Sequence, residues 1–420
     1  MKLLLRNFAK IKEAEIRFDG LTVIAGNNNT GKSTVGKVLF TLFHSLRNMP
    51  RSVMEERKDF VLRFLWKIYM NNNRRAAMPA EAMKKMAKSR EVVGAAETES
   101  PSVWYEVLMK GIAQDLQLNL SQEEKEDLHK CIEEAWKHSD AEIAKELATR
   151  AFAQVFQGQV NSLTKEDAEA SVILQVQGEE RSIRFEKNEC MEYQDNINLM
   201  EDAIYVEDPF LMEECFKGRL RQRTSVQSQA LLEYLETNEL PNAIDAIEIK
   251  KKNDDIFLLF RETIPGDIVH EAYRFVLRSS AQEQALNVEN WSTGIKSFAI
   301  LKRLLENGAL HEKGVLILDE PEIHLHPQWQ LYYAEILVLL QKAFNLTILL
   351  TTHSPFFMDA IEIYTHKHGI SDKTKYYLSE ALDHEVKFRD VSGKIDEIYE
   401  KMVNPLQILE NLRAELRMGR

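Results

Sequence analysis

The chain has 420 residues, 44% of them apolar, and a formal net charge of −12 at pH 7. That is enough apolar material for one large core or two modest ones, and an acidic balance of this size excludes a uniformly basic nucleic-acid coat while leaving room for a local basic patch. The longest apolar runs, VLILDEP and EILVLLQ, fall far short of the ~20 residues a membrane span needs, no signal-peptide layout opens the chain, and Cys131, Cys190 and Cys215, widely spaced and without C-x-x-C, read as reduced thiols, so a cytoplasmic protein is expected.

Residues 2–7 (KLLLRN) and 14–18 (AEIRF) read as short strands around a turn, and Leu21 to Ala25 as a third strand that runs into GNNNTGKST, from Gly26 to Thr34. This stretch fits G-x-x-x-x-G-K-[ST], and the helix-like run of Val35, Val38, Leu39 and Leu42 follows it. Gly26 and Gly31 permit backbone angles that a Cβ would block. The backbone of Asn27, Asn28, Asn29, Thr30 and Thr34 completes a cradle for a polyphosphate at the positive end of the helix. Lys32 would reach the β and γ phosphates, and the Ser33 hydroxyl would hold Mg²⁺.

From about Pro50 to Gly158 apolar residues recur at helical spacing. Start signals stand at Ser52/Glu55, Ser121/Glu124 and Ser139/Glu142, and Gly158 reads as the stop of a last helix with Ile143, Leu147, Ala151 and Val155 on one face. Within this helical insertion Arg74, Arg75, Lys84, Lys85, Lys88 and Arg90 stand against one acid, Glu81. They read as a solvated surface or as a contact for nucleic acid or an acidic partner. Val172 to Gln177 and Ser182 to Phe185 read as a hairpin, Ala203 to Phe210 as a buried strand ending at Pro209, Ser225 to Leu235 as helix, and Ile256 to Arg261 and Ala272 to Leu277 as strands.

GVLILDEPE, from Gly314 to Glu322, has the layout of a buried parallel strand whose tip meets a ligand. Asp319 would hold the Mg²⁺ shell through water, and Glu320 would orient and deprotonate a water attacking the γ phosphate. Lys32 and Asp319 lie much further apart than the ~30 residues of one βαβ unit, so the insertion falls between two halves of one site. Ser292, Thr293 and Gly294 open an apolar-periodic helix and offer a second phosphate-binding end. A helix from about Gln328 to Lys342 precedes LTILLTTHSP, which puts His353 at a strand tip, within reach of a γ phosphate.

NFAKIKEAEIRF with GNNNTGKST, STGIK, LDEPEIHLHP and TTHSP together resemble the ABC-type ATPase superfamily in its SMC-like and OLD-like branch, over roughly the first 45 and last 130 residues. The resemblance implies an α/β fold: a mixed sheet with a phosphate-loop core, an antiparallel β subdomain and a helical insertion. It partitions the chain into residues 1–48, 49–160, 161–280 and 281–420. It implies ATP and Mg²⁺ as cofactors and a homodimer or higher oligomer in which Lys32 of one subunit faces Ser292 of another across the nucleotide. Ile295 and Lys296 stand where many relatives have Gly and Gln, and Gln154, Gln157 and Gln175 are the candidates for the branch's Q-loop glutamine. The His324/His326 pair falls in its D-loop, a structural or subunit-contact position rather than a metal site. Only 67 residues follow His353, fewer than an appended nuclease domain of the OLD type would need. The expected role is therefore an ATPase sensor and scaffold for a separate nuclease effector, similar to the ATPase subunits of the Septu and PARIS anti-phage systems, with DNA or a phage-encoded trigger upstream. The alternative is a DNA-repair or chromosome-associated ATPase that binds DNA through the insertion; a transporter subunit fits least.

Overall fold

In a computed structural model of the chain the first three strands form as expected: β1 (Lys2–Phe8), β2 (Ile11–Arg17) and β3 (Leu21–Gly26). The structure describes residues 1–72, 101–111, 120–165, 167–199, 201–215, 224–237, 254–271, 274–279, 281, 283–382 and 385–418. The basic stretch with Arg74, Arg75, Lys84, Lys85, Lys88 and Arg90 lies outside them. The chain divides into two compact units, Met1–Arg47 with Thr149–Arg420, and Asn48–Ala148.

The larger unit is built on an 11-stranded sheet. Besides β1 to β3 it contains β4 (Ala170–Val176), β5 (Glu179–Glu186), β6 (Glu189–Asp195), β7 (Ala203–Val206), β11 (Val315–Asp319), β12 (Thr347–Thr352), β13 (Thr374–Leu382) and β14 (Glu385–Asp390). Their order is β6-β5-β4-β1-β2-β14-β13-β3-β12-β11-β7. A separate three-stranded sheet holds β8 (Asp267–Glu271), β9 (Arg274–Arg278) and β10 (Leu286–Asn287). The fold is mixed α/β.

Burial follows residue pattern. Strands β3, β7 and β11 are buried at every position, as continuous apolar runs covered on both faces must be, whereas β4 and β5 bury alternate residues. The hairpin between β4 and β5 turns through Gln177 and Gly178, both at positive φ (53° and 92°), the backbone of a two-residue turn matched to strand twist.

Helix α1 (Lys32–Phe40) follows the phosphate loop and runs into a π-helical turn, Thr41–Ser45. The buried Arg181 of β5 donates to the Leu42 carbonyl in that turn (3.0 Å) and pairs with Asp195 (2.7 Å), which ties the helix to the antiparallel strands. In the smaller unit, α2 (Met49–Asn72), α3 (Pro101–Gly111) and α4 (Gln122–Lys137) share a core of Val61, Leu65, Trp104, Leu108, Leu128 and Ile132. Ser121 caps α4 in a reciprocal box with Glu124, and Ser139 does the same with Glu142 for α5 (Asp140–Phe156).

Several expectations are corrected. Ser52 caps nothing: α2 begins at Met49, and the Ser52 hydroxyl donates back to the Asn48 carbonyl. The buried positions of α5 are Ala144, Ala148, Ala151 and Phe152, offset from the expected face. Ile256 to Arg261 is not a strand but part of α7 (Asp254–Thr263), which follows α6 (Val226–Glu236). Ile256, Phe260 and Thr263 turn inward at helical spacing there while Leu258 stays exposed, and a short apolar run carries no period that separates the two states. Strands β6, β13 and β14 were not anticipated. The last two pair with β3 and β2, so the residues after His353 complete the same sheet.

Candidate functional site

Strand β3 ends at Gly26, where φ is +156° and a Cβ would lie 2.2 Å from Ser379 Oγ and 2.6 Å from the Ser379 carbonyl oxygen. Only glycine lets β13 pass so close. The loop turns through Asn29 (φ 66°) and Gly31 (φ 72°), and the Thr30 hydroxyl lies 2.6 Å from that of Ser379. Gly31 stands at the N-cap of α1 and has no side chain to cap it, so the first-turn N–H groups are free of side-chain competition. Gly36 in turn lets α1 lie against the sheet: a Cβ there would be 3.1 Å from Ile317 Cγ2 and 3.2 Å from Tyr205 Cε2.

The second half of the site comes from neighbouring strand tips. Asp319, at the end of β11, accepts hydrogen bonds from Ser33 Oγ (Oδ1, 3.1 Å), from Thr351 Oγ1 on β12 (Oδ1) and from the Tyr205 phenol on β7 (Oδ2, 2.9 Å). Glu320 takes up a left-handed backbone (φ 48°), held by its N–H bond to Thr351 Oγ1 (3.1 Å). Its carboxylate spans 3.1 Å to Lys32 Nζ and 3.2 Å to His353 Nδ1. Lys32 Nζ also donates to the carbonyls of Gly26 (3.0 Å) and Asn27 (2.9 Å). Lys32, Ser33, Asp319, Glu320 and His353 are thus brought together.

Of these, Lys32, Ser33 and Glu320 border a cavity of about 430 Å³. Asn29 to Thr34, Lys10, Lys37 and Glu320 make its polar side, and Val155, Phe156 and Leu163 its apolar wall. Of the three glutamine candidates only Gln157 lines it; Gln175 is paired with Glu180 on the β4–β5 hairpin.

Ser292, Thr293 and Gly294 do not line the cavity. Ser292 caps α8 (Thr293–Glu306), its Oγ accepting the Ile295 N–H (3.3 Å), and a Cβ on Gly294 would meet the Trp329 ring at 2.7 Å. The atypical Lys296 is 2% exposed, paired with Glu213 (2.7 Å) and set over the Phe210 ring. His326 caps α9 (Pro327–Phe344) and His324 lies edge-on to Phe210. Among the described residues no group of three or more His, Cys, Asp or Glu could hold a metal ion, and no helix is long and apolar enough to cross a membrane.

The residues fit a magnesium nucleotide. The phosphate loop leads into the N-terminus of α1, whose first-turn N–H groups no side chain caps. Ser33 Oγ and Asp319 Oδ1 are two hard oxygens side by side, the usual protein share of a Mg²⁺ shell completed by phosphate and water.

Sequence reasoning missed four supporting residues: Tyr205, Thr351, Ser379 and Glu322. Thr351 stands two residues before His353, a signal that could have been used; Tyr205 sits in an expected strand that no motif ties to the site, and Ser379 in a strand that was not expected. Glu322 is 2% exposed and accepts from Thr352 Oγ1 and the His353 N–H (3.2 Å), which fastens the β12 tip. Burial pushes its carboxyl above the usual carboxylate range, against the lowering effect of those bonds.

Three solved structures show a loose likeness. An SMC head domain from Thermotoga maritima shares 11% identity over 93% of this chain and 98% of its own, with a TM-score of 0.36. An SMC head bound to the C-winged helix domain of ScpA shares 12% over 94% and 98% (TM-score 0.42). An SMC head with an extended coiled coil, bound to the C-terminal domain of ScpA and derived from Pyrococcus furiosus, shares 14% over 98% and 98% (TM-score 0.40). Likenesses of this size carry no argument about activity or partners. The model of the AAA ATPase domain, by contrast, matches residues 1–358, the stretch that holds the phosphate loop, the acidic strand tip and the histidine loop, and the chain belongs to the AAA ATPase domain family.

Proposed function

We propose that the chain binds ATP with Mg²⁺ at Gly26 to Thr34 and hydrolyses it between two copies of itself. The observation that carries the reading is the Glu320 carboxylate, held between Lys32 and His353 at the rim of the cavity, at the tips of parallel strands. Lys32 would grip the β and γ phosphates, Glu320 would orient the attacking water and take its proton, and His353 would donate to the γ phosphate. Ser33 and Asp319 would hold Mg²⁺, which supplies neutralisation of phosphate charge.

The placement of Ser292 to Gly294 away from the cavity supports a composite site, with this helix start capping the nucleotide of a partner copy in a homodimer or higher oligomer. Ser292 Oγ accepts from Ile295, so its O–H proton remains available to a phosphate. Glu320→Gln with ATP should give a long-lived dimer in light scattering; a variant that binds ATP and stays monomeric would sink the composite site.

The same reading makes the ATPase a sensor and scaffold for a separate effector, a nuclease in anti-phage defence. Strands β13 and β14 pair into the ATPase sheet, so the residues that form them belong to the ATPase fold itself. The native complex should contain a nuclease whose cleavage of nucleic acid changes with ATP. A complex without cleavage under any nucleotide condition would end the effector role and leave the ATPase untouched.

A further inference from the structure

Tyr205 belongs to no motif, yet the fold aims it at the acidic end of the site. Strand β7 pairs in parallel with β11, with Tyr205 opposite Ile317. Side chains of a strand alternate between faces, so Tyr205, Ile317 and, two residues on, Asp319 lie on one face. That face looks at α1, where Gly36 leaves room for the Tyr205 ring and for Ile317. The ring is 2% exposed, and its hydroxyl ends 2.9 Å from Asp319 Oδ2. A carboxylate oxygen accepts, so the phenol donates.

The two oxygens of Asp319 are therefore used differently. Oδ2 is turned inward and held by Tyr205, while Oδ1 faces Ser33 Oγ and Thr351 Oγ1. Without the phenol, among the described residues only hydroxyls on the Oδ1 side would hydrogen-bond the carboxylate, and rotation about Cβ–Cγ could carry Oδ1 away from Ser33.

We infer that Tyr205 is a positioning residue for the cation end of the site: by holding Asp319 Oδ2 it keeps Oδ1 beside Ser33 Oγ, where the two oxygens take Mg²⁺. This rests on the reading of Ser33 and Asp319 given above. Partners that orient metal ligands commonly contribute about 10–100-fold to metal affinity, and a single neutral donor belongs at the lower end.

The test is binding of a fluorescent ATP analogue to the full chain, titrated with Mg²⁺ and repeated in EDTA, for the parent, Tyr205→Phe, Tyr205→Leu and Asp319→Asn. Tyr205→Phe keeps the ring against Gly36 and removes only the hydroxyl. It should raise the Mg²⁺ concentration for half-maximal tight binding by about tenfold and leave binding in EDTA unchanged. Tyr205→Leu should show the same selective shift. An unchanged Mg²⁺ requirement, or an equal loss with and without Mg²⁺, overturns the inference. So does failure of both tyrosine variants to fold, since the residue would then be serving the core. Asp319→Asn separates the two levels: a shift there with none in Tyr205→Phe removes only the role of the phenol, and no shift in Asp319→Asn removes the cation reading itself.

Discussion

The two ends of the large sheet obey different rules. Strands β13, β3, β12, β11 and β7 run parallel side by side, while β6, β5, β4, β1 and β2 run antiparallel. Parallel strands end on the same side, so their tips converge: Gly26 at the end of β3, Asp319 at the end of β11 with Glu320 just past it, and His353 just past β12. Antiparallel strands alternate their ends, and among the described residues of that half only the β1–β2 turn, at Ala9 and Lys10, reaches the cavity. The candidate site residues are therefore concentrated where strand direction repeats, and the antiparallel half serves as wall and support.

If that division is right, damage to the two halves should separate in measurement. Phe185 on β5 is fully buried, with its ring 4.9 Å from that of Phe152. Phe185→Ala should cost about 3–5 kcal/mol of stability in urea unfolding, with nucleotide affinity within about twofold of the parent wherever the variant is folded. A tenfold fall in affinity would break the comparison. Lys32→Ala should do the reverse, lowering kcat/KM for ATP by about 10²–10³-fold in a phosphate-release assay while the circular dichroism spectrum stays that of the parent.

Gly36→Ala probes the seam between α1 and the parallel strands. Its Cβ would press on Ile317 and Tyr205, and overpacking of this kind costs about 1–3 kcal/mol. Because both neighbours share the face that carries Asp319, nucleotide binding should weaken along with thermal stability; loss of stability alone would mean that the seam does not transmit to the site. The smallest effect concerns Glu322. Its carboxyl is raised by burial, so below the ordinary carboxylate range both folded and unfolded chains hold the proton and stability is at its full value. As pH rises the unfolded chain releases its proton first, and stability falls through the folded pKa. Melting curves between about pH 4 and pH 7 should show Glu322→Gln losing less stability than the parent over that window. Parallel curves would mean that Glu322 does not titrate with folding.

Much of the site was legible because its parts are short and local. Gly26 to Thr34 encodes its own turn through glycine, Asp319 and Glu320 follow an uninterrupted apolar strand, and Ser292 announces a helix start that the structure bears out as the cap of α8. The buried Lys296 looked like a defect of its motif and proves to be half of an ion pair with Glu213, a residue that no spacing rule connects to it.

The sequence by itself determined where the glycine loop, the acidic strand end and the histidine turn stand, since periodicity, glycine and strand-end acids act over a few residues. Only the tertiary structure decided which strands lie side by side: β13 beside β3, so that Ser379 meets Gly26, and β7 beside β11, so that Tyr205 meets Asp319. Pairing between distant segments is set by hydrogen-bond register and burial summed over the whole sheet, and no local pattern in β7 or β13 records the neighbour it will have.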